Sequence, residues 1–262
     1  MTDWRPLTGP LAAHVRGRGP RVVFLHGFTQ TGRSWVPVAD LLAARGYETM
    51  VVDLPGHGGS SRLRADLRRA ADLLAATSGP ATYVGYSLGG RVGLHLGLMF
   101  PHIAERLVLL GATPGIIDDE ERANRRAADE QLAERIIEIG VEAFIDEWIA
   151  QPLFAGLTLT PSDRADRLTN TAEGLASSLR MAGTGTQVPL WDRLHGFATP
   201  ILALAGANDA KFSAIAEQMA SLAPDAEWDT VVHAGHAAHL QQPAAVADRI
   251  EQFLPTVPGI VG

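Results

Sequence analysis

Cysteine is absent from all 262 residues. That absence removes a disulfide scaffold, a thiolate metal centre, an iron–sulfur cluster and a cysteine nucleophile. Charged residues are also sparse, at 19%, and lean acidic: 22 Lys and Arg against 29 Asp and Glu leave a net charge of −7 at pH 7. Such a balance gives no general attraction for nucleic acid or for anionic membrane surfaces. No apolar run approaches the ~20 residues that span a bilayer, and Ile201–Ala207 is among the longest. The opening Met1-Thr-Asp-Trp-Arg-Pro6 has no basic-then-apolar signal pattern. A cytoplasmic protein with no membrane insertion and no nucleic-acid partner is the expectation. Internal repeats and low-complexity tracts are missing too, and nothing in the pattern specifies an oligomeric state.

What is present is a hydrophobic content of 46%, normal for a globular chain long enough to bury a large core. Arg21–His26, Thr49–Asp53, Ala81–Tyr86, Arg106–Leu110 and Ile201–Ala205 are short, continuous apolar runs, with Thr230–His233 a weaker sixth. Continuous rather than alternating runs suit a parallel sheet covered on both faces. Helical periodicity falls between and after them, over Trp35–Ala44, Leu63–Ala76, Leu88–Met99, Phe212–Leu222 and Ala244–Leu254. The alternation predicts an α/β fold with right-handed crossovers.

The rhythm breaks from about Thr113 to Leu194. That stretch shows only helical patterns, over Asp118–Ile139, Val141–Ile149, Ser162–Thr169 and Thr171–Met181. The expected organisation is a core of residues 1–112 and 195–262 with a helical lid, 113–194, inserted between core strands.

The sharpest chemical feature is Gly85-Tyr-Ser-Leu-Gly89 with Gly90 behind it, at the junction of a predicted strand and a predicted helix. A serine on a strained strand-to-helix turn needs small neighbours, and the amide after it faces the reacting oxygen. Ser87 is therefore the candidate nucleophile. Its acid partner should follow a later strand, as Asp209 does in Ala205-Gly-Ala-Asn-Asp209, whereas Asp192, Asp225 and Asp229 read as solvated surface carboxylates. The histidine should lie after the last strand, where His233, His236 and His239 cluster. Gly235 breaks any helix there and no carboxylate sits within the cluster, so a metal site is a poor reading. His236, preceded by that glycine, is the expected base. His233 reads as strand-end packing and His239 as the start of a helix; His14, His95, His102 and His195 read as structural or surface residues. The backbone N–H groups of Phe28, in His26-Gly-Phe-Thr-Gln30, and of Leu88 are the expected oxyanion donors.

These four pieces, each in order on its expected element, resemble the α/β-hydrolase superfamily over nearly the whole chain. The resemblance narrows with Leu25–Trp35, Asp53–Ser60, Thr113-Pro-Gly115, Arg122–Arg126, Trp148 before Gln151-Pro-Leu-Phe154, Leu190-Trp191, Asp209-Ala-Lys-Phe212 and Ala234–His239. This set is similar to the 2-succinyl-6-hydroxy-2,4-cyclohexadiene-1-carboxylate (SHCHC) synthases of menaquinone biosynthesis. The resemblance implies a cofactor-independent carbon–oxygen lyase on a hydrolase scaffold. It would eliminate pyruvate from 2-succinyl-5-enolpyruvyl-6-hydroxy-3-cyclohexene-1-carboxylate, with Ser87 acting as base through His236 and Asp209. A substrate with three carboxylates needs fixed cations, and arginine binds carboxylates bidentately. Arg91, one helical turn past Ser87, is the first candidate. The family pattern implies Arg125 and Arg167 in the lid as the others, with Tyr86 and Trp148 as pocket residues. Two other readings stand beside this one: a serine hydrolase of esters, thioesters or carbon–carbon bonds, and a binding protein that kept the scaffold.

Overall fold

A strand that is apolar at every position must be covered on both faces, and the chain meets that demand in the middle of an eight-stranded sheet. The computed structural model describes residues 4–255. The strands are β1 (Arg5–Leu7), β2 (Ala13–Gly17), β3 (Arg21–Leu25), β4 (Glu48–Val52), β5 (Ala81–Tyr86), β6 (Ala104–Leu110), β7 (Ile201–Gly206) and β8 (Ala226–Val231). Their order is β1-β2-β4-β3-β5-β6-β7-β8. Pairing is parallel from β4 through β8 and antiparallel only where β1 meets β2 and β2 meets β4. β5 and β7 are buried at every residue.

Helices α1 (Val36–Ala44), α2 (Leu67–Ser78), α3 (Leu88–Met99), α4 (Asp119–Ile149), α5 (Pro161–Arg167), α6 (Ala172–Ala182), α7 (Ala210–Leu222), α8 (Ala238–Gln241) and α9 (Pro243–Phe253) complete the fold. Leu74 of α2, Leu94 of α3 and Met219 of α7 cover one face of the sheet, together with Leu107 and Leu109. Val38 and Leu42 of α1 and Val246 and Ile250 of α9 cover the other, against Val22, Phe24 and Val108. Each such side chain contributes about 1.5–3 kcal/mol when fully buried, so the two layers dominate over intrinsic helix propensity.

The edges depart from the sequence expectation. β1 and β2 carry no apolar run, and only Ala13 and Val15 of β2 turn inward. The last strand lies at 226–231 rather than 230–233. As an edge strand it leaves Glu227, Trp228 and Asp229 exposed, so its apolar signal is diluted. His233 is exposed in a left-handed turn (φ 59°), which replaces the expected strand-end packing.

Between β6 and β7 the chain forms only helices. α4 carries a break at Gly140 (φ 78°, ψ 169°). Ala133, Ile136, Phe144 and Trp148 of α4 pack on Leu175 and Leu179 of α6 in a third apolar cluster. α5 starts at Pro161 behind a capping box in which Thr160 and Asp163 satisfy each other's backbone N–H groups. Residues 1–3 and 256–262 of the expected core lie outside the described residues. No described helix is long and apolar enough to cross a membrane.

Candidate active site

Ser87 sits between β5 and α3 with φ 49° and ψ −106°, a conformation that costs a non-glycine residue about 1–3 kcal/mol. The neighbouring glycines make the turn possible. A Cβ on Gly85 would lie 2.5 Å from the backbone of Gly89 and Gly90, and one on Gly89 would lie 2.2 Å from the Leu25 carbonyl oxygen. The strand and helix therefore touch through bare backbone, and the serine is pushed outward. The Ser87 amide is tied to Leu110 O (2.9 Å). The next amide, Leu88, opens α3 and has no intrahelical acceptor, so it and the helix's positive end face the site.

The opposing donor loop follows β3. His26 Nε2 accepts from the Leu54 amide (2.9 Å), and Nδ1 donates to Gly27 O (2.8 Å). Burial, the largest influence, lowers the His26 pKa to about 4, so the ring stays neutral and its tautomer fixed. Phe28 comes next, then Thr29 in the left-handed region (φ 68°). The helical insertion grips this turn. Asn170 Nδ2 donates to Thr29 O (2.9 Å), the buried Arg167 guanidinium donates to Thr29 Oγ1, and Thr31 Oγ1 donates to the Asp166 carboxylate (2.7 Å). Asn170 Oδ1 also accepts from the Gly58 amide (2.9 Å).

Asp209 caps α7, accepting from the Phe212 amide (3.2 Å), and its other oxygen accepts from His236 Nδ1 at 2.7 Å. The two loops meet closely, since a Cβ on Gly206 would lie 2.1 Å from Gly235 O. His236 is buried, with the Phe212 ring 4.5 Å and the Tyr86 ring 5.2 Å from its own. With Nδ1–H committed to Asp209, Nε2 is left as the acceptor, the tautomer a general base requires. Ser87 makes no side-chain hydrogen bond to His236 among the described residues, but both line one narrow cavity of about 140 Å³, with Phe28, Leu88 and Trp148.

That cavity is continuous in its lining with a wider one of about 760 Å³; Ser87, Arg91, Arg125, Lys211 and Phe212 border both. Arg91 is buried and donates to Ala182 O (2.7 Å). Burial first, then the nearby Arg125, lowers its pKa to about 10, which leaves it cationic at neutral pH. Arg125 Nε bonds Asp129 Oδ1 (2.8 Å), and Asp129 Oδ2 accepts from the Gly185 amide (3.1 Å). The Trp148 indole N–H is buried without a protein partner.

The expected residues thus gather unevenly. Ser87, His236, Phe28, Leu88, Arg91, Arg125 and Trp148 share the cavity, and Asp209 reaches it through His236. Tyr86 lies behind, its ring 4.4 Å from that of His239, and is not among the cavity-lining side chains. Arg167 borders a separate cavity of about 230 Å³ with Gln30, Arg33 and Asp166. His239 lies in α8, buried, with both ring nitrogens unpartnered, and burial holds its pKa well below the usual histidine value. Among the described residues no group of three His, Cys, Asp or Glu is placed to hold a metal ion. From sequence, Lys211 is given no role beyond its place in Asp209-Ala-Lys-Phe212, and Asn170 is given none. Lys211 carried a signal, because it is the one lysine in the whole sequence; Asn170 carried none.

A model of the alpha/beta hydrolase family matches residues 22–249. The 2-succinyl-6-hydroxy-2,4-cyclohexadiene-1-carboxylate synthase of Salmonella heidelberg (strain SL476) is 35% identical over 254 residues, covering 93% of this chain and 98% of its own. The structure of MenH from S. aureus superposes with a TM-score of 0.84 at 30% identity, over 92% of this chain and 97% of that one. A malate-bound thermophilic esterase from Thermogutta terrifontis, at 24% identity and a TM-score of 0.80 over 96% and 98% of the two chains, shares the fold. The chain belongs to the alpha/beta hydrolase family and, within it, to the family of the 2-succinyl-6-hydroxy-2,4-cyclohexadiene-1-carboxylate synthases.

Proposed function

We propose that this chain is the carbon–oxygen lyase of menaquinone biosynthesis that converts 2-succinyl-5-enolpyruvyl-6-hydroxy-3-cyclohexene-1-carboxylate to SHCHC and pyruvate. In this reading His236, oriented by Asp209, takes the Ser87 proton. Ser87 Oγ then removes the ring proton beside the succinyl ketone. The electrons of that C–H bond move to the ketone oxygen, and the Phe28 and Leu88 amides hold the resulting enolate. When the enolate collapses, the ring double bond shifts and the bond between the ring and the enolpyruvyl oxygen breaks. The departing pyruvate enolate takes up a proton, supplied from His236. No acyl-enzyme forms, and Ser87 ends as it began.

The observation that carries the reading is that Arg91 and Arg125 line the same cavity as Ser87 and His236. One buried cation, Arg91, and one half-exposed, Arg125, suit a tricarboxylate, whereas an ester pocket is mostly apolar. A serine hydrolase would use the same triad but leave these cations without a task. Residues 113–194 act as the lid, and its helices supply Arg125 and Trp148. The reading also places the enzyme in the cytoplasm. Pyruvate release from the enolpyruvyl substrate by purified protein tests it.

A further inference from the structure

Of the 22 basic residues, 21 are arginine and one is lysine, Lys211. Surface ion pairs across the molecule are made by arginine: Arg45 with Asp248, Arg135 with Glu147, Arg180 with Glu130 and Arg249 with Asp229. Lys211 forms no ion pair among the described residues. It lies in the first turn of α7, two residues after Asp209, and borders both the narrow and the wide cavity beside Ser87. The adjacent Phe212 ring is in contact with His236, so the lysine's backbone is set by the same elements that set the base.

Resting on the lyase reading, we propose that Lys211 is a specificity residue that binds a substrate carboxylate, completing a cation set with Arg91 and Arg125. Arg167 is buried against Thr29 and borders another cavity, so the Ser87 cavity has two arginines for three carboxylates. Lysine fits the vacant role physically. Its ammonium is a compact charge on a flexible stem, able to follow a substrate between the two cavities, while a planar guanidinium demands one fixed approach. Arg91 keeps one donor on Ala182 O and Arg125 one on Asp129, with other guanidinium donors left for substrate; among the described residues the lysine makes no side-chain hydrogen bond or ion pair at all, so its whole ammonium is available at the mouth.

The sole side-chain amine permits a test that does not need turnover. Acylation of Lys211 by acetic anhydride, followed by mass spectrometry of its peptide, should slow about fivefold or more with saturating succinate and remain unchanged with dimethyl succinate. In steady-state pyruvate release, Lys211→Met should raise KM about tenfold and leave kcat within about threefold, with Lys211→Arg falling between Lys211→Met and the wild type. Labelling that succinate does not slow, or a wild-type KM in Lys211→Met, overturns the proposal. A wild type that releases no pyruvate defeats the lyase reading instead, and the labelling result still decides the role of Lys211.

Discussion

His236 donates from Nδ1 to Asp209 Oδ2 at 2.7 Å, so the aspartate fixes which imidazole nitrogen faces the cavity. Asp209 is itself held as the cap of α7. Replacing it with asparagine keeps the shape but lets the side-chain amide stabilise the opposite tautomer, in which Nε2 carries the proton and cannot accept one. Asp209→Asn should lower kcat for pyruvate release by about 10³–10⁴-fold with little change in melting temperature. A kcat within tenfold of the wild type would remove Asp209 from the proposed relay.

Asn170 links the insertion to the Phe28–Thr29 loop, the proposed oxyanion loop, through Thr29 O and to the loop before α2 through the Gly58 amide. Thr29 is left-handed, and this bond helps keep it so. The adjacent Phe28 amide should shift when the bond is lost. Losing one oxyanion donor outright costs about 10²–10³-fold in rate, so Asn170→Ala is expected to lower kcat about tenfold or more while KM stays within about threefold. Steady-state kinetics separates the two constants; a raised KM at constant kcat would place Asn170 in substrate binding.

Acid stability follows from the buried histidines. Burial depresses the His26 pKa to about 4 and the His57 pKa to about 3, the latter aided by His26 next to it. Below about pH 6.5 the unfolded chain takes up these protons and the folded one does not, so stability is complete above that pH and falls as pH drops toward 4. At 1.36 kcal/mol per pKa unit, His26 alone contributes a loss of about 3 kcal/mol over that window. Urea unfolding between pH 7.5 and 4.5 should show the decline, with a gentler slope in His57→Phe. An equal slope in that variant would mean that other groups carry the acid sensitivity.

The central fold was legible because β3, β5 and β7 must be apolar on both faces, and a continuous run such as Ile201–Ala205 has few other uses. The elbow was legible for a related reason: glycines at 85, 89 and 90 around a serine meet a steric demand that few other structures impose. Edge strands β1 and β2 were not, since one covered face and short length leave no run to see, and β8 was misplaced for the same cause. Arg167 and Arg125 look alike as charged residues of helical segments. Only packing shows that Arg167 turns toward Thr29 while Arg125 borders the cavity that Ser87 lines. Asn170 was silent because its value lies in two backbone partners distant in sequence, Thr29 and Gly58.

The central claim, that Ser87 is a base and not an acylating nucleophile, is tested most directly by rapid-mixing measurement of pyruvate release from the enolpyruvyl substrate by the wild type and Ser87→Ala, with mass spectrometry of the quenched enzyme. The account predicts fast pyruvate release, its loss in Ser87→Ala by about 10³-fold or more, and no covalent adduct on the wild-type chain. Absence of pyruvate above background, or a substrate-derived adduct on Ser87, would contradict it.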